Sequence, residues 1–354
     1  MRYLDNQAST PIDSRVLQEM FEVMRDSYAN PHSIEHKLGL EAAAIVEDSI
    51  DCISNIIGCD SDEIIITSGA TESNNLALIG LSKSYNASQY RNTILISEIE
   101  HKSILETAEY LSTIRFYVKK IPVDNNGVVD LDKYNELLDD RTLLVSIMLT
   151  NSEIGTIQDI KKLAQLAHEC GAIFHTDAAQ AYYEELDVYD MDIDMMSMSS
   201  HKIYGPKGVG LLYISRDIKE QVKPIIYGGS QQYGIRSGTV PTFLVYGFAR
   251  ALKYFNEDKR ANKKLLASRA KEFLNSLETQ GISYSINGSL DHRHPGNLNL
   301  TLDVAALEFI NKHYNDFCIS TGSACNNGNM QISYVLRAIG VNEDVVDNVV
   351  RISF

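Results

Sequence analysis

The chain has 354 residues, 44% of them hydrophobic, and carries 47 acidic against 32 basic side chains for a formal charge of −15. That length and apolar content allow two domains with real cores, and the acidic balance argues against direct nucleic-acid binding, which needs clustered Lys and Arg to meet phosphates. No apolar run is long enough to span a membrane, and MRYLDNQASTP lacks the basic and apolar regions of a signal peptide, so an intracellular, cytoplasmic protein is expected.

Residues 1–13 contain a short extended stretch and then Pro11. From 14 to 26 the apolar residues Val16, Leu17, Met20, Phe21 and Met24 recur at helical spacing. Asn30-Pro31 and Gly39 bracket a loop, and a long helix is predicted from Leu40 to about Ile57, closed by Gly58. Strands then alternate with helices. IIIT (64–67), TILIS (93–97), Leu143 to Leu149, AIFHTD (172–177), DMMSMS (194–199) and VGLLYIS (209–215) read as strands. Helices are predicted after SGAT, from about Ser103 to Leu111, and from Asp159 to Cys170. This alternation predicts an α/β fold with a mostly parallel sheet covered on both faces, whose ligands bind beyond the carboxyl ends of the strands. After Gly238 the pattern changes to helices over 242–257 and 260–279, then ISYSI, NLNLTL, FCIS, a helix near 332–339 and the closing VVRISF. A large domain over 14–250 and a smaller α+β domain from 1–13 and 251–354 are expected.

The motifs fall where strands run out. In SSHKIYGPKGVGLLYIS (199–215), glycines free the backbone to turn beside a bulky group, and Lys202 sits at that turn after a buried strand. A lysine that sheds its proton there can attack a carbonyl, as in the Schiff base with pyridoxal phosphate, whose phosphate Ser199 and His201 could hold. SGATESNN (68–75) puts small residues at a helix start, where free N–H groups and the helix dipole favour an anion; an ordinary capped helix is the alternative. His101, after ILISEIE, can stack on a ring or move protons. Asn151 follows LLVSIML. Asp177 follows AIFHT, with Gln180 three residues on, so both can face one ligand. A carboxylate at a buried strand end needs a positive partner, and a protonated pyridine nitrogen would supply it; capping of the next helix is the alternative.

Five cysteines, at 52, 59, 170, 318 and 325, form no C-x-x-C pair, so neither a disulfide framework nor a metal site is expected. Cys325 lies among small, turn-forming residues in STGSACNNGN, which suits an exposed, mobile nucleophile. Cys52, Cys170 and Cys318 fit helix or apolar settings better, and Cys59 is left open.

From YLDNQASTP through ANPHSIEHKLG, TSGATESNN, SEIEHKS, TNSEIGTIQDI, HTDAAQ, SSHKIYGPKGVGLLY, GGSQQYGIRSGT and STGSACNN to SYVLRAIG and VRISF, the chain resembles the cysteine desulfurases. These are pyridoxal-phosphate enzymes of the fold-type-I, class-V aminotransferase group. The resemblance implies that Lys202 carries the cofactor, Asp177 pairs with its ring nitrogen and His101 stacks on the ring. It implies that Ala70, Thr71, Ser199 and His201 hold the phosphate, and that Gln180 and Asn151 contact cofactor or substrate. Thr239 would reach the phosphate of the other subunit of a homodimer, Arg351 would bind the carboxylate of L-cysteine, and Cys325 would take the sulfur as a persulfide. The spacing from Cys325 to Ser333-Tyr334 is similar to the branch that hands sulfur to an acceptor protein. A selenocysteine lyase, another class-V enzyme and a catalytically silent scaffold are the alternative readings.

Two features depart from that pattern. The chain stops three residues after Arg351, and an effect on acceptor docking is expected there, with a dedicated, basic acceptor. The segment YYEELDVYDMDID is unusually acidic and is expected to be a solvated loop.

Overall fold

Buried apolar strands build the centre of the molecule. In the computed structural model, which describes residues 1–85, 90–321 and 333–354, β1 (Arg2–Tyr3) is followed by the helices α1 (Ser14–Asp26) and α2 (Lys37–Ile57). The main sheet then forms from β2 (Ile64–Thr67), β3 (Thr93–Ser97), β4 (Tyr117–Ile121), β5 (Thr142–Ser146), β6 (Ile173–Asp177), β7 (Met195–Ser199) and β8 (Gly210–Ile214). Its order is β2-β8-β7-β6-β5-β3-β4, parallel throughout except for β8, which runs antiparallel to both neighbours. Every residue of β2, β3, β5, β7 and β8 is buried. Cover on both faces explains why these strands read as continuous apolar runs rather than alternating ones. The expected α/β architecture is therefore present.

The connections are the helices α3 (Ala70–Asn75), which continues into a π-turn over 76–80, α4 (Lys102–Thr113), α5 (Leu131–Leu137) and α6 (Ile160–Glu169). Strand β4 and helix α5 carry too few apolar residues to stand out in the sequence. The third predicted strand is shorter than expected, ending at Ser146, because the chain after it turns to form the site.

Helix α7 (Thr242–Thr279) is one continuous helix, not the two expected. The polar stretch that suggested a break, NEDKRANKK, contains neither Pro nor Gly, so nothing in it stops a helix. Its first half packs Val245, Phe248 and Leu252 into the main core; further along, Phe273 meets Phe317 and Phe354 edge-on at 5.8 and 5.9 Å. Residue 250 lies within this helix, whose buried apolar side chains belong to one core cluster with residues from both ends of the chain.

The C-terminal part of the chain forms β9 (Tyr284–Ile286), β10 (Asn297–Leu302), α8 (Ala306–Lys312), β11 (Phe317–Cys318), β12 (Ser320–Thr321), α9 (Tyr334–Ala338) and β13 (Val349–Ser353). Strands β12, β13, β10 and β9 form an antiparallel sheet. FCIS is split: β11 pairs with β1, while β12 pairs with β13. Residues 1–9 are thereby stitched to the C-terminal strands, and the Gln7 and Ala8 carbonyls also meet Gln180 and Lys202, just past the ends of β6 and β7.

The acidic segment is balanced locally. Glu184 and Glu185 meet Lys263 and Lys259, Asp190 meets Lys161, and Asp192 and Asp194 bracket His168. Asp194 first, and Asp192 with it, push the His168 pKa up to about 9 against its partial burial. Asp187 accepts the N–H groups of Tyr189 and Asp190.

Candidate active site

Neighbouring parallel strands end side by side, and each delivers one functional group. Strand β6 ends on Asp177, β7 ends on Ser199 with Lys202 just beyond, and β3 is followed by His101. Together with Gln7, Gln180 and Arg351 they line a cavity of about 1150 Å³.

The Lys202 amine donates to the carbonyl oxygens of Gln7 at 2.5 Å and Ala8 at 3.0 Å. Burial, and after it the charge of Arg351, lowers its pKa to about 8, with Asp177 and Asp5 pulling the other way. Such an amine sheds its proton far closer to neutrality than a surface lysine does, which is the condition for attack on a carbonyl. Asp177 is buried. Its Oδ2 accepts Asn74 Nδ2 at 2.7 Å and its Oδ1 accepts the Ala179 N–H at 2.9 Å.

His101 is the N-cap of α4, and its Nδ1 accepts the Ser103 N–H at 3.1 Å. The neutral ring therefore carries its proton on Nε2. The Ser103 hydroxyl is 2.8 Å from that Nδ1 and itself accepts Asn74 Nδ2 at 2.8 Å, so Asn74 ties His101 to Asp177.

Ala70, Thr71, Ser199 and His201 also line the cavity. Gly69, at φ 152°, leads into α3 without a side-chain cap, so the N–H groups of the first turn are not taken up by one. A Cβ on Gly210 would stand 2.6 Å from the Gly69 Cα, so only glycine lets β8 approach this turn so closely. Tyr182 clamps Ser199, accepting its N–H at 2.9 Å and donating to its carbonyl at 2.6 Å. Burial, then Lys202 and Lys207, lower the His201 pKa to about 4, so the ring is neutral and acts as a hydrogen-bonding group. Glu72 binds the Ser68 N–H at 2.7 Å and Arg236 at 2.9 Å, anchoring the loop that carries Thr239.

Gln180 lines the cavity and donates to the Gln7 carbonyl at 2.8 Å. Arg351 meets Asp5 at 2.8 Å, and its Nε has no hydrogen-bond partner among the described residues. Asn151 departs from expectation. Its Nδ2 donates to the Ile99 carbonyl at 3.0 Å, and its Oδ1 accepts the N–H groups of Glu153 and Ile154 at 2.8 and 3.0 Å. These local bonds consume its amide, so it shapes the loop after β5 and does not line the cavity. Thr239 is exposed and away from the cavity wall. Cys325 lies outside the described residues; Thr321 and Ser333, described residues on either side of it in sequence, line the cavity.

Two acids, the buried Glu100 and the half-buried Glu153, were not singled out from the sequence. Glu100 accepts the Met148 N–H at 2.6 Å, and burial, reinforced by Asp177, holds its carboxyl well above the usual range. Glu153 accepts the Ser333 hydroxyl at 2.7 Å, and burial pushes its pKa up to about 7. Both stand inside the motifs EIEH and TNSEIG, but an acid there looks like any surface acid until the fold buries it.

A planar pyridine with a phosphate at one end and an aldehyde beside the lysine fits this donor set. Asp177 is a buried carboxylate held by neutral amides, which suits a cationic ring nitrogen. The helix start lacks a side-chain cap, which suits a phosphate, and Lys202 is a reactive amine.

The family model described as "Aminotransferase class-V" matches residues 2–354. The chain is 39% identical over 350 residues to a cysteine desulfurase, IscS, of Rickettsia africae, covering 99% of this chain and 85% of that protein. It is similar to a solved structure described as a NifS-like protein, with a TM-score of 0.91, 33% identity and coverage of 100% of this chain and 94% of that one. It is also similar to the structure of SspA in complex with cysteine, with a TM-score of 0.88, 34% identity and coverage of 100% and 99%.

Proposed function

Because the chain belongs to the aminotransferase class-V family, we propose that it is a pyridoxal-phosphate-dependent cysteine desulfurase. It converts L-cysteine to L-alanine and passes the sulfur through a persulfide on Cys325 to an acceptor protein. The observation that carries this reading is the convergence of Lys202, Asp177 and Arg351 on one cavity.

The cofactor supplies an electron sink for the carbanion formed at the substrate Cα. The chain's own residues do the rest. Arg351, steadied by Asp5, presents its guanidinium to the substrate carboxylate. Lys202, freed as a neutral amine, takes the proton from Cα, and its lowered pKa keeps that form available near neutrality. Asp177, a buried carboxylate, would pair with the ring nitrogen of the bound cofactor and favour its protonated form, and His101, whose Nδ1 accepts the Ser103 N–H, manages protons at the substrate sulfur through Nε2. The Cys325 thiolate attacks that sulfur. An S–S bond forms, the C–S bond breaks, and the carbon released is protonated to alanine. One cysteine and one enzyme thiol give one alanine and one enzyme persulfide, so atoms and electrons balance.

Incubation with L-cysteine, followed by assay of alanine, sulfide and protein-bound persulfide, tests the function. A keto acid formed without sulfide would overturn it in favour of transamination.

Two expected results follow from the geometry. Asp177→Asn keeps the shape and can keep the Asn74 contact after an amide rotation, yet it removes the charge; kcat/KM is expected to fall about 100-fold or more, with the visible absorbance shifted. Stopped-flow and spectral titration check this. Arg351→Lys loses bidentate recognition, so KM for cysteine is expected to rise about tenfold while the cofactor spectrum stays unchanged. A KM that does not move would take the carboxylate away from Arg351.

The exposed position of Thr239, away from its own cavity yet anchored through Arg236 and Glu72 beside the phosphate turn, supports a homodimer in which Thr239 serves the partner's site. Sedimentation of the active enzyme is expected to give a dimer. A fully active monomer would rule the contact out.

A further inference from the structure

Arg293 has donors only, and this orients a chain of buried amides that ends at the catalytic lysine. Its Nε and Nη2 bind Asn297 Oδ1 at 3.1 and 2.9 Å, so the Asn297 oxygen faces Arg293 and its nitrogen faces away. Asn297 Nδ2 must then donate, and it does so to Gln7 Oε1 and to the Glu153 carbonyl, the latter at 3.2 Å. This sets Gln7 in turn. Its side-chain oxygen is committed to Asn297, while its Nε2 is buried with no hydrogen-bond partner among the described residues. The Gln7 N–H donates to Ser353 Oγ at 2.9 Å, and the Gln7 carbonyl receives both Gln180 Nε2 and Lys202 Nζ. Asn297 is also boxed in from the loop side, since a Cβ on Gly155 would stand 2.7 Å from its side chain.

Burying an amide with one unmatched donor is unfavourable, and an apolar side chain of the same shape would avoid it. What the amide provides is a tie between strand β10 and residues 7 and 8. We propose that Asn297 and Gln7 form a positioning relay, which holds the carbonyl oxygens of Gln7 and Ala8 as the resting place of the free Lys202 amine. The proposal rests on the reading of Lys202 as the reactive amine. When Lys202 gains a proton, these two carbonyls accept from the ammonium and stabilise it. Arg351 opposes that charge, while Asp177 and Asp5 favour it. Loss of the tie lets the carbonyls move, and the ammonium is then held less well.

The test uses the full-length chain freed of pyridoxal phosphate. Lysines are labelled competitively with limiting acetic anhydride from about pH 6 to about pH 10, and the Lys202 peptide is quantified by mass spectrometry. Gln7→Met and Asn297→Ala are each expected to lower the Lys202 midpoint by about half a unit, raising its labelling at pH 7 about threefold. The double variant is expected to show no further shift, because both changes cut one tie. Asn299→Ala loses a neighbouring bond to the Glu153 carbonyl and the one from Asn287 Nδ2 but no bond to Gln7 or to the Asn297 side chain, so its midpoint should match the parent chain. The relay is overturned if the midpoint stays or rises in Gln7→Met, or if Asn299→Ala shifts it equally. Gln7→Met is nearly isosteric and carries the test alone should Asn297→Ala fail to fold. Borohydride trapping of added pyridoxal phosphate on the parent chain separates the two levels: trapping without attachment at Lys202 overturns the premise, whereas attachment with unmoved midpoints overturns only the relay.

Discussion

Lys202→Ala is expected to lose the absorbance band of the lysine-attached cofactor and to hold pyridoxal phosphate in a form that borohydride no longer fixes to the chain, with turnover reduced by about 1000-fold or more. Two functions are lost together: the covalent attachment of the cofactor and the base at Cα. The fold should survive. The Gln7 carbonyl keeps its bond from Gln180, and the truncated side chain leaves space in a cavity already open to solvent rather than a void in the core. Added pyridoxal phosphate should still bind, because Asp177, His201 and the turn before α3 do not depend on the amine. Absorbance spectra before and after borohydride treatment, with a cysteine turnover assay, decide the matter. A variant that keeps the visible band and more than about a tenth of the activity would assign the chemistry to another group.

Cys325→Ser is expected to separate the two halves of the reaction. The variant should bind cofactor and respond spectrally to L-cysteine, yet carry no persulfide and transfer no sulfur to an acceptor. The reason lies in the other thiols. Cys52, Cys59, Cys170 and Cys318 are partly buried, and none of them lines the cavity. Cys59 was the open case in the sequence. Burial, and then the charges of Glu63, Asp60 and Asp62, push its thiol up to about 12, so little thiolate is present near neutrality. Burial likewise raises Cys52. Mass spectrometry of the protein after exposure to cysteine would reveal any replacement. A persulfide on Cys59, with normal alanine production, would move the nucleophile there.

The sequence by itself determined which runs are buried strands and which residues follow them. Continuous apolar runs such as IIIT, TILIS and MMSMS can be stable only inside a doubly covered sheet, and chemistry-bearing residues directly after them must lie at its carboxyl edge. That argument located Lys202, Asp177 and His101 because a strand end is a place, not merely a neighbourhood. Composition could not reveal partners that are distant along the chain. Asn74 reaches Asp177, Tyr182 clamps Ser199, and Asp5 holds Arg351 across almost the full length of the protein. Local pattern could not show the bonds that Asn151 makes to Ile99 and Glu153 when the loop after β5 folds back. It also divided α7, since a charged stretch without Pro or Gly leaves a helix free to continue when both ends find a core. Glu100 and Glu153 show the limit most plainly. A carboxyl group's protonation depends on the water and charge around it, and only the tertiary structure removes that water and sets Asp177 or Ser333 beside it.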